Sequence, residues 1–289
     1  MGPTAVGKTA VAIRTAELLR GRGEDPVAIS CDALQVYRGL GRLTGAPTAG
    51  ERRALEHRLV GFVEPTEEFS AGRFAELARG QIDALLGEGR RPIVVGGTGL
   101  YMRAALAELD LKPTVPEEVR EGVERELALR GSAALHAELE PDVAARVHPN
   151  DRKRVARALE LQRIGVDPPE RSGELWTARL RHPTTLAAIT VDTEELEDRI
   201  EARVDEMLAA GAVAEARAAD AADISRTARA ALGFDELVAG DAGAVKAAHR
   251  AYAKRQLTWI RKMPDAELID RSGKDDEWVA RRLLAALDV

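Results

Sequence analysis

The chain is poor in residues that form covalent or metal-based cross-links. Its 289 residues contain one cysteine, Cys31, and five histidines scattered along the sequence. A single cysteine cannot form an internal disulfide, and isolated histidines without partner cysteines do not make a zinc site. The composition therefore excludes a disulfide-stapled secreted domain and favours a reducing cytoplasm.

Long apolar runs and excess positive charge are also lacking. No stretch of eighteen apolar residues occurs, and the N-terminus has neither the basic nor the apolar segment of a signal peptide. The formal net charge of −6 argues against a protein that coats nucleic acid indiscriminately, although local basic faces remain possible. With 45% hydrophobic residues the chain can bury a full core. We expect a globular cytoplasmic protein with no membrane contact.

The strongest motif is a phosphate loop at the start of the chain. Residues 2–9 read Gly2-Pro3-Thr4-Ala5-Val6-Gly7-Lys8-Thr9 and match the pattern G-x-x-x-x-G-K-[ST]. Backbone N–H groups and the start of the following helix cradle an anionic oxygen in such a loop. Lys8 would neutralise that anion, and the Thr9 hydroxyl would hold Mg²⁺. The alternative is a glycine-rich turn without a ligand. The motif predicts a diphosphate site but not the molecule that carries it.

Three short apolar runs predict buried parallel strands at residues 27–30, 92–95 and 186–191. A helical pattern at residues 9–20 precedes the first run, and another at residues 71–86 lies between the first and the second. The fold class is therefore α/β, with a P-loop NTPase-like parallel sheet flanked by helices. We expect the first and last thirds of the chain to share one sheet.

Two polar side chains follow the predicted strands. Asp32 ends the first strand, and Thr98 lies in the glycine-rich turn after the second. Ligands of open α/β sheets bind outside the carboxyl ends of the strands, so both side chains should face the crevice of the phosphate loop. The alternatives are a helix cap for Asp32 and a tight packing turn for Thr98. Residues 35–48 predict a mobile loop over this crevice.

Residues 112–183 show charged helical periodicity without a strand, which predicts an all-helical insertion domain. Residues 1–111 and 184–289 would then form the catalytic core. Within the insertion, Lys153, Arg154 and Arg157 are concentrated over little more than one helical turn. Such a turn is either a solvated face or an RNA contact.

Two later helices carry further basic side chains. Arg199 and Arg203 share one helix face, where ion pairs with Glu195 or with Asp205 and Glu206 are the alternative to a binding role. Residues 242–264 contain no acidic residue and place basic side chains at four-residue spacing, with Trp259 interleaved. This pattern suits phosphate contacts and base stacking, or an acidic partner.

Taken together, these motifs resemble the bacterial tRNA dimethylallyltransferases over nearly the whole chain. The resemblance is carried, in order, by residues 2–9, Asp32 with Gln35-Val36-Tyr37-Arg38, Gly96-Gly97-Thr98-Gly99-Leu100-Tyr101, His148-Pro149-Asn150-Asp151, residues 199–207 and Arg255-Gln256-Leu257-Thr258-Trp259-Ile260-Arg261. Each motif beyond the phosphate loop is weak alone, but the ordered set is specific.

The resemblance implies transfer of a dimethylallyl group from dimethylallyl diphosphate to N6 of the adenosine directly 3′ of the anticodon, with release of diphosphate. It implies Mg²⁺ as cofactor, Asp32 as general base, Thr98 at the target base and Arg203 on the diphosphate. A monomer that binds the anticodon stem-loop is expected. The implied tRNA contacts are Asp32, Ala33, Leu34, Gln35, Thr98, Arg120, Lys153, Arg154, Arg157, Lys254, Arg255, Gln256, Thr258, Trp259 and Arg261.

The sequence departs from the family pattern in three places. Residues 41–48 read GRLTGAPT where the family shows D-I-G-T-A-K-P-T, Ala33 replaces a serine, and Asp235 replaces a basic residue. These changes bear on tRNA affinity more than on the chemistry, because Lys8, Thr9 and the catalytic side chains are kept.

Two other function classes use the same features. A small-molecule kinase would use the phosphate loop for nucleotide binding, with ATP as donor and Asp32 as base, and ATP hydrolysis or a phosphorylated product would reveal it. A non-catalytic RNA-binding relative would bind tRNA without turnover.

A phosphate loop normally follows a strand, yet Met1 stands directly before this one. We therefore expect about five to eight mostly apolar residues upstream in the natural product, the usual length of such a strand.

Overall fold

The computed structural model describes residues 1–109, 111–168, 179–263 and 265–287. The chain divides into two compact units, one formed by Met1–Ala107 and Arg179–Val289 and the other by Glu108–Ala178. The boundaries predicted from the sequence, 111/112 and 183/184, each lie a few residues after the corresponding boundary between these units. Within the described residues, no helix combines the length and apolar character needed to cross a bilayer.

The first unit contains all the strands and most of the helices. Its strands are β1 (Pro26–Cys31), β2 (His57–Arg58), β3 (Arg91–Gly96), β4 (Ala187–Thr190) and β5 (Glu267–Asp270). Helices before the second unit are α1 (Lys8–Arg20), α2 (Gly41–Thr44), α3 (Ala49–Ala54), α4 (Ala71–Gly87) and α5 (Gly99–Leu106).

The remaining helices follow in chain order. The second unit contributes α6 (Glu117–Arg130), α7 (Ser132–His136), α8 (Pro141–Ala144) and α9 (Arg152–Arg163). After it come α10 (Thr193–Ala209), α11 (Ala212–Ala221), α12 (Arg226–Arg229), α13 (Phe234–Ala239), α14 (Ala242–Ile260) and α15 (Asp276–Leu287).

The strands form two parallel sheets rather than the single sheet that the sequence predicts. One has the order β2-β1-β3, and the other pairs β4 with β5. Among the described strands β3 pairs only with β1, and a groove of about 450 Å³ with mostly apolar walls lies between β3 and β4. On the β4 side, the Met1 amine donates to Ala187 O at 2.6 Å, and Ile189 N donates to Met1 O at 2.8 Å. The prediction of parallel strands flanked by helices is confirmed. Among the described strands, however, those of the first third of the chain do not hydrogen-bond to those of the last third.

Helix α1 follows the sequence expectation closely. Val11, Ala12, Ala16 and Leu19 are buried, and the helix ends at Gly21. Leu18 is half-buried. Thr15 is also buried, since its hydroxyl donates to the Val11 carbonyl within the helix at 2.8 Å. The helix therefore packs on the sheet and points its N-terminus at the phosphate loop.

The segment at residues 35–48 packs against the core, whereas its mobility stays a prediction. Val36, Leu40 and Leu43 are buried in the main core, and the last two flank the start of α2. Thr48 then caps α3 through a reciprocal pair of hydrogen bonds with Glu51. The spacing of these apolar residues, hidden among glycines, anchors the segment to the core.

In its described residues, 108–109 and 111–168, the second unit contains helices joined by turns and no strand. Its core joins apolar side chains of all four helices: Val123, Leu127, Leu135, Leu139, Val143, Val155 and Leu159. Charged residues on the outer faces explain why this region reads as polar despite its compact core.

Candidate active site

The phosphate loop has the backbone geometry of an anion-binding nest. Ala5 and Gly7 both have left-handed backbone angles, with φ of 63° and 88°, and α1 begins at the next residue, Lys8. Alternation between left- and right-handed residues turns successive N–H groups toward one side. The Lys8 Nζ donates to Pro3 O at 2.7 Å and so crosses the loop. The loop therefore has the shape to bind phosphate oxygens, and the Lys8 side chain lies across it.

Lys8 lies in an unusual electrostatic environment. Burial, together with the nearby Arg203 guanidinium, lowers the pKa of its ammonium group to about 7. The Asp32 carboxylate acts in the opposite direction and raises this pKa. The phosphate loop, the end of β1 and α10 thus bring together the three charged side chains that the resemblance assigns to the chemistry.

Arg203 is directed into the molecule. Its Nη2 donates to Gly45 O at 3.2 Å, and burial lowers the pKa of the guanidinium while Asp32 opposes that shift. One turn earlier on the same helix, Arg199 pairs with Glu195 at 2.6 Å. The ion-pair alternative therefore applies to Arg199, whereas Arg203 belongs to the cluster around Lys8.

Asp32 follows β1 directly and shapes the turn after it. Its Oδ1 accepts hydrogen bonds from Leu34 N at 3.0 Å and from Gln35 N at 3.4 Å. The expected alternative, a cap, is thus present, but it caps a turn and not a helix. Because both bonds use Oδ1, the turn fixes the carboxylate while Oδ2 can accept a proton from a substrate.

Thr98 lies opposite a tyrosine that sequence reasoning missed. The hydroxyl groups of Thr98 and Tyr252 are 3.2 Å apart. Burial raises the pKa of Tyr252, and the nearby Asp32 raises it further. Tyr252 lies within α14, the basic helix, but it is not among the contacts that the sequence predicts there. Two neutral hydroxyls therefore stand beside the carboxylate of Asp32.

Gln256 ties the phosphate loop to the turn after β3. Its Oε1 accepts from Thr4 N at 2.7 Å, and its Nε2 donates to Gly97 O at 3.0 Å. A Cβ at Gly97 would lie 2.2 Å from this Nε2, so only glycine allows the approach. The residue is buried, with 3% exposed. The tRNA contact implied for it stays a prediction, but its contacts in the fold are internal.

The other residues around the Asp32 turn are half-buried. Ala33, Leu34 and Gln35 follow Asp32 in that turn. The Gln35 Nε2 donates to Gly45 O at 3.2 Å, the same carbonyl that Arg203 contacts. The altered segment 41–48 therefore supports Arg203 through a backbone oxygen, which no side-chain substitution removes.

The basic helix α14 divides into a paired half and an open half. Lys246 pairs with Glu201 and with Asp205, at 2.9 and 2.8 Å, and Arg250 pairs with Glu201. The next basic positions are exposed: Lys254, Arg255, Arg261 and Lys262, together with Thr258. Trp259 is half-buried, and Arg255 lies over the Tyr252 ring. The four-residue repeat predicted phosphate contacts along the whole helix, yet acidic residues of α10 neutralise its first part.

The basic turn of the second unit also divides. Lys153 and Arg154 are exposed in the first turn of α9, where Asp151 caps the helix. Arg157 instead donates to Pro113 O at 2.7 Å and pairs with Glu160 at 3.3 Å. Arg120, on α6, is half-buried. The contact with Pro113 joins α9 to the segment before α6, which the sequence spacing could not reveal.

The residues present fit Mg²⁺ only together with a substrate. Thr9 is half-buried in the first turn of α1, beside the loop. Among the described residues, no cluster of three or more His, Cys, Asp or Glu could hold a metal ion. Because Mg²⁺ is commonly held by one or two protein oxygens plus substrate phosphates, a hydroxyl next to a diphosphate is a suitable donor set. The groove between β3 and β4 has Lys8 at its edge but is not lined by Asp32, Thr98 or Arg203.

Comparison with known proteins places the chain in a family. The sequence profile of the IPP transferase family matches residues 35–263, which is most of the chain. The chain belongs to the IPP transferase family. It is similar to a tRNA dimethylallyltransferase of Anaeromyxobacter dehalogenans, with 42% identity over 278 residues that cover 90% of each protein.

Solved structures agree with this membership. The chain is similar to the tRNA isopentenylpyrophosphate transferase of Bacillus halodurans, with 31% identity, a TM-score of 0.70, and coverage of 99% of this chain and 95% of that one. A eukaryotic dimethylallyltransferase, crystallised acting on tRNA, shares the fold at 24% identity and a TM-score of 0.75, with coverage of 98% and 76%.

Proposed function

We propose that this IPP transferase moves a dimethylallyl group from dimethylallyl diphosphate to N6 of the adenosine directly 3′ of the anticodon in tRNA. The observation that carries the proposal is the cluster of Lys8, Arg203 and Asp32 beside the phosphate loop. Two cations there suit a diphosphate leaving group, and the carboxylate suits an amine that must lose a proton. The family membership reported above is the independent support.

The leaving group defines the role of the cations. As the allylic C–O bond breaks, its electron pair goes to the diphosphate oxygen, so negative charge grows on the diphosphate. Lys8, Arg203 and the N–H groups of the loop stabilise that charge from fixed positions. Mg²⁺, held by the Thr9 hydroxyl and the phosphates, supplies further charge neutralisation when bound.

The acceptor defines the role of Asp32 and its neighbours. The exocyclic N6 of adenine bonds to the allylic carbon, and a proton leaves N6. Oδ2 of Asp32 accepts this proton, while Oδ1 stays bonded to the turn. The hydroxyls of Thr98 and Tyr252 can hydrogen-bond to an adenine turned out of the stack.

The RNA partner would be the anticodon stem-loop of tRNA. The exposed basic ends of α14 and α9, with Lys254, Arg255 and Arg261 on one and Lys153 and Arg154 on the other, suit phosphate contacts. We also propose that the enzyme acts as a monomer in the cytoplasm, as expected from the sequence.

Nucleoside mass analysis tests this function directly. Unmodified tRNA is incubated with the protein, Mg²⁺ and dimethylallyl diphosphate, then digested to nucleosides. The expected result is N6-dimethylallyladenosine at the position next to the anticodon, with diphosphate released in equal amount. A parallel incubation with ATP separates the kinase alternative. Phosphorylated product or ATP hydrolysis without prenylated nucleoside contradicts the proposal.

A further inference from the structure

An arginine from the far end of the chain contacts the phosphate loop. Arg271 follows β5 directly, and its Nη1 donates to the Val6 carbonyl at 2.9 Å. The Arg271 side chain is buried. The residues that follow it are more accessible, since Ser272 is half-buried and both Gly273 and Lys274 are exposed. The sequence separation is 265 residues, so no local pattern links this arginine to the loop.

The direction of this bond fixes the next amide. All described peptide bonds are trans, and in a planar trans peptide the carbonyl oxygen and the following N–H point in opposite directions. With Val6 O held toward Arg271, the N–H of Gly7 points away from Arg271. It forms no hydrogen bond with another described residue. This amide is therefore set to donate to a ligand in the loop.

The packing leaves no freedom at this point. A Cβ at Gly7 would lie 2.4 Å from Arg271 Nη1, so the guanidinium rests directly against the glycine backbone. Two further contacts hold the guanidinium from behind, because Nη2 pairs with Asp276 at 3.0 Å and donates to Lys274 O at 3.4 Å. The planar, five-donor guanidinium makes these contacts at once, which an ammonium group cannot do.

Its charge is balanced locally by Asp276, so Arg271 differs from Lys8 and Arg203. A cation already paired with a carboxylate adds little net field at the loop. Its main effect is therefore on the orientation of the Val6–Gly7 peptide and not on the total charge around the diphosphate.

We propose that Arg271 is a positioning residue that holds the Gly7 amide in the orientation that binds the leaving diphosphate. The proposal rests on the proposed function, because it assigns a diphosphate to the loop. It extends that function by making the β5–α15 turn, remote in sequence, a part of the diphosphate site.

Calorimetric titration with inorganic diphosphate and Mg²⁺ tests the proposal in the full-length protein. Arg271→Met removes the donor and is expected to weaken diphosphate binding about 10- to 100-fold, the usual effect of losing one hydrogen bond to a charged group. Arg271→Lys keeps the charge, and its affinity should fall between those of the parent and the methionine variant. The matched control is Arg282→Met, on α15, which removes an ion pair with Glu267 at the opposite end of β5 from Arg271 and should bind as the parent does.

The binding stoichiometry separates positioning from folding. If Arg271 only supported the fold, the properly folded fraction of Arg271→Met would bind with parental affinity, and the measured stoichiometry would fall. Positioning predicts a stoichiometry near one with a weaker dissociation constant, and tRNA affinity unchanged in the same sample. Parental affinity in Arg271→Met, at any stoichiometry, overturns the proposal.

The same titration distinguishes this inference from the proposed function. A parent protein that binds diphosphate but yields no prenylated nucleoside removes the proposed function and leaves Arg271 testable. A parent that prenylates tRNA, together with a methionine variant of unchanged diphosphate affinity, removes the inference alone.

Discussion

The molecule has two kinds of cationic region, and they differ in what surrounds the charge. Lys8 and Arg203 are placed together beside the phosphate loop, with burial lowering the pKa of both. Lys254 and Arg154 stand in water on helix surfaces. Water screens the exposed charges, so each contributes little until a polyanion arrives. The buried pair is strained electrostatically until an anion enters, and this strain favours a small, highly charged ligand.

The difference indicates a division of labour. A few desolvated groups discriminate and carry out the chemistry, whereas many solvated ones supply affinity that depends on salt. Variants of the buried cluster should therefore change turnover or diphosphate binding, and variants of the exposed segments should change only the binding of RNA.

The largest effect is expected at Asp32. Asp32→Asn should lower the single-turnover rate of prenyl transfer about 10²- to 10⁴-fold, since an amide cannot accept the N6 proton. The asparagine oxygen can still accept from Leu34 N, so the turn after β1 should be kept. Diphosphate affinity, measured at about pH 6 where Lys8 is charged, should remain close to that of the parent. Parental single-turnover rates would remove Asp32 from its role as base.

Arg203 and Arg199 allow a matched test on one helix. Arg203→Met should reduce turnover about 10²- to 10³-fold because a fixed donor to the growing negative charge is lost. Arg199→Met removes only the pair with Glu195 and should leave turnover unchanged. Steady-state rates at saturating dimethylallyl diphosphate compare the two variants. Equal rates for the two variants would show that burial does not distinguish Arg203 from Arg199 as the catalytic arginine.

The lowered pKa of Lys8 predicts proton uptake on binding. In the free protein this pKa is about 7, so Lys8 is mostly neutral at about pH 8. A bound diphosphate favours the charged form and raises the pKa, so binding above neutrality should take up close to one proton, whereas binding at about pH 5.5 should take up almost none. Diphosphate affinity should accordingly fall as the pH rises through 7.

Calorimetry in two buffers of different ionisation enthalpy measures this uptake. The Lys8→Met variant corrects for protons taken up by the diphosphate itself, and the difference between parent and variant belongs to Lys8. A difference of zero at about pH 8 would contradict a neutral Lys8 in the free protein.

The smallest effects are expected on the exposed segments. Lys254→Ala should reduce the salt slope of tRNA binding by about one unit, the amount for one phosphate contact. Arg154→Ala should reduce it by less, because Asp151 lies 3.5 Å from the Arg154 guanidinium. Lys246→Ala, eight residues before Lys254 on α14, should leave the slope unchanged because Glu201 and Asp205 already neutralise Lys246. Filter binding over a range of salt concentrations gives the slopes. Identical slopes for the parent, Lys254→Ala and Arg154→Ala would show that these exposed basic residues are solvated and do not contact RNA.

The parts of the fold that the sequence predicted are those with a local signal. The phosphate loop has a fixed motif, and β1, β3 and β4 are apolar runs bounded by proline, glycine or polar residues. Strand β2, by contrast, consists of His57 and Arg58 and exists only because it pairs with Ala28 and Ile29. Its own residues carry no strand pattern, so no reading of that segment alone could find it.

Parts of the candidate site were not predicted for the same physical reason, because they have no local signal in the sequence. Asp32 and Arg203 were found from motifs, but Tyr252, Gln256 as a bridge and Arg271 act through partners more than 150 residues away. The resemblance implies an RNA contact for Arg157, while its guanidinium donates to Pro113 O within its own unit. Long-range packing decides which basic side chains remain available, and spacing along one helix does not record it.

The Gln256 bridge connects the proposed RNA-binding helix α14 to the phosphate loop. The helix that presents Lys254 and Arg255 to the solvent is hydrogen-bonded through its next residue to Thr4 in the phosphate loop. If RNA binding shifts this helix, the Thr4 amide shifts with it, and diphosphate affinity changes by some factor. Reciprocity then requires diphosphate to change tRNA affinity by that same factor, so cooperativity between the substrates can be measured from either side.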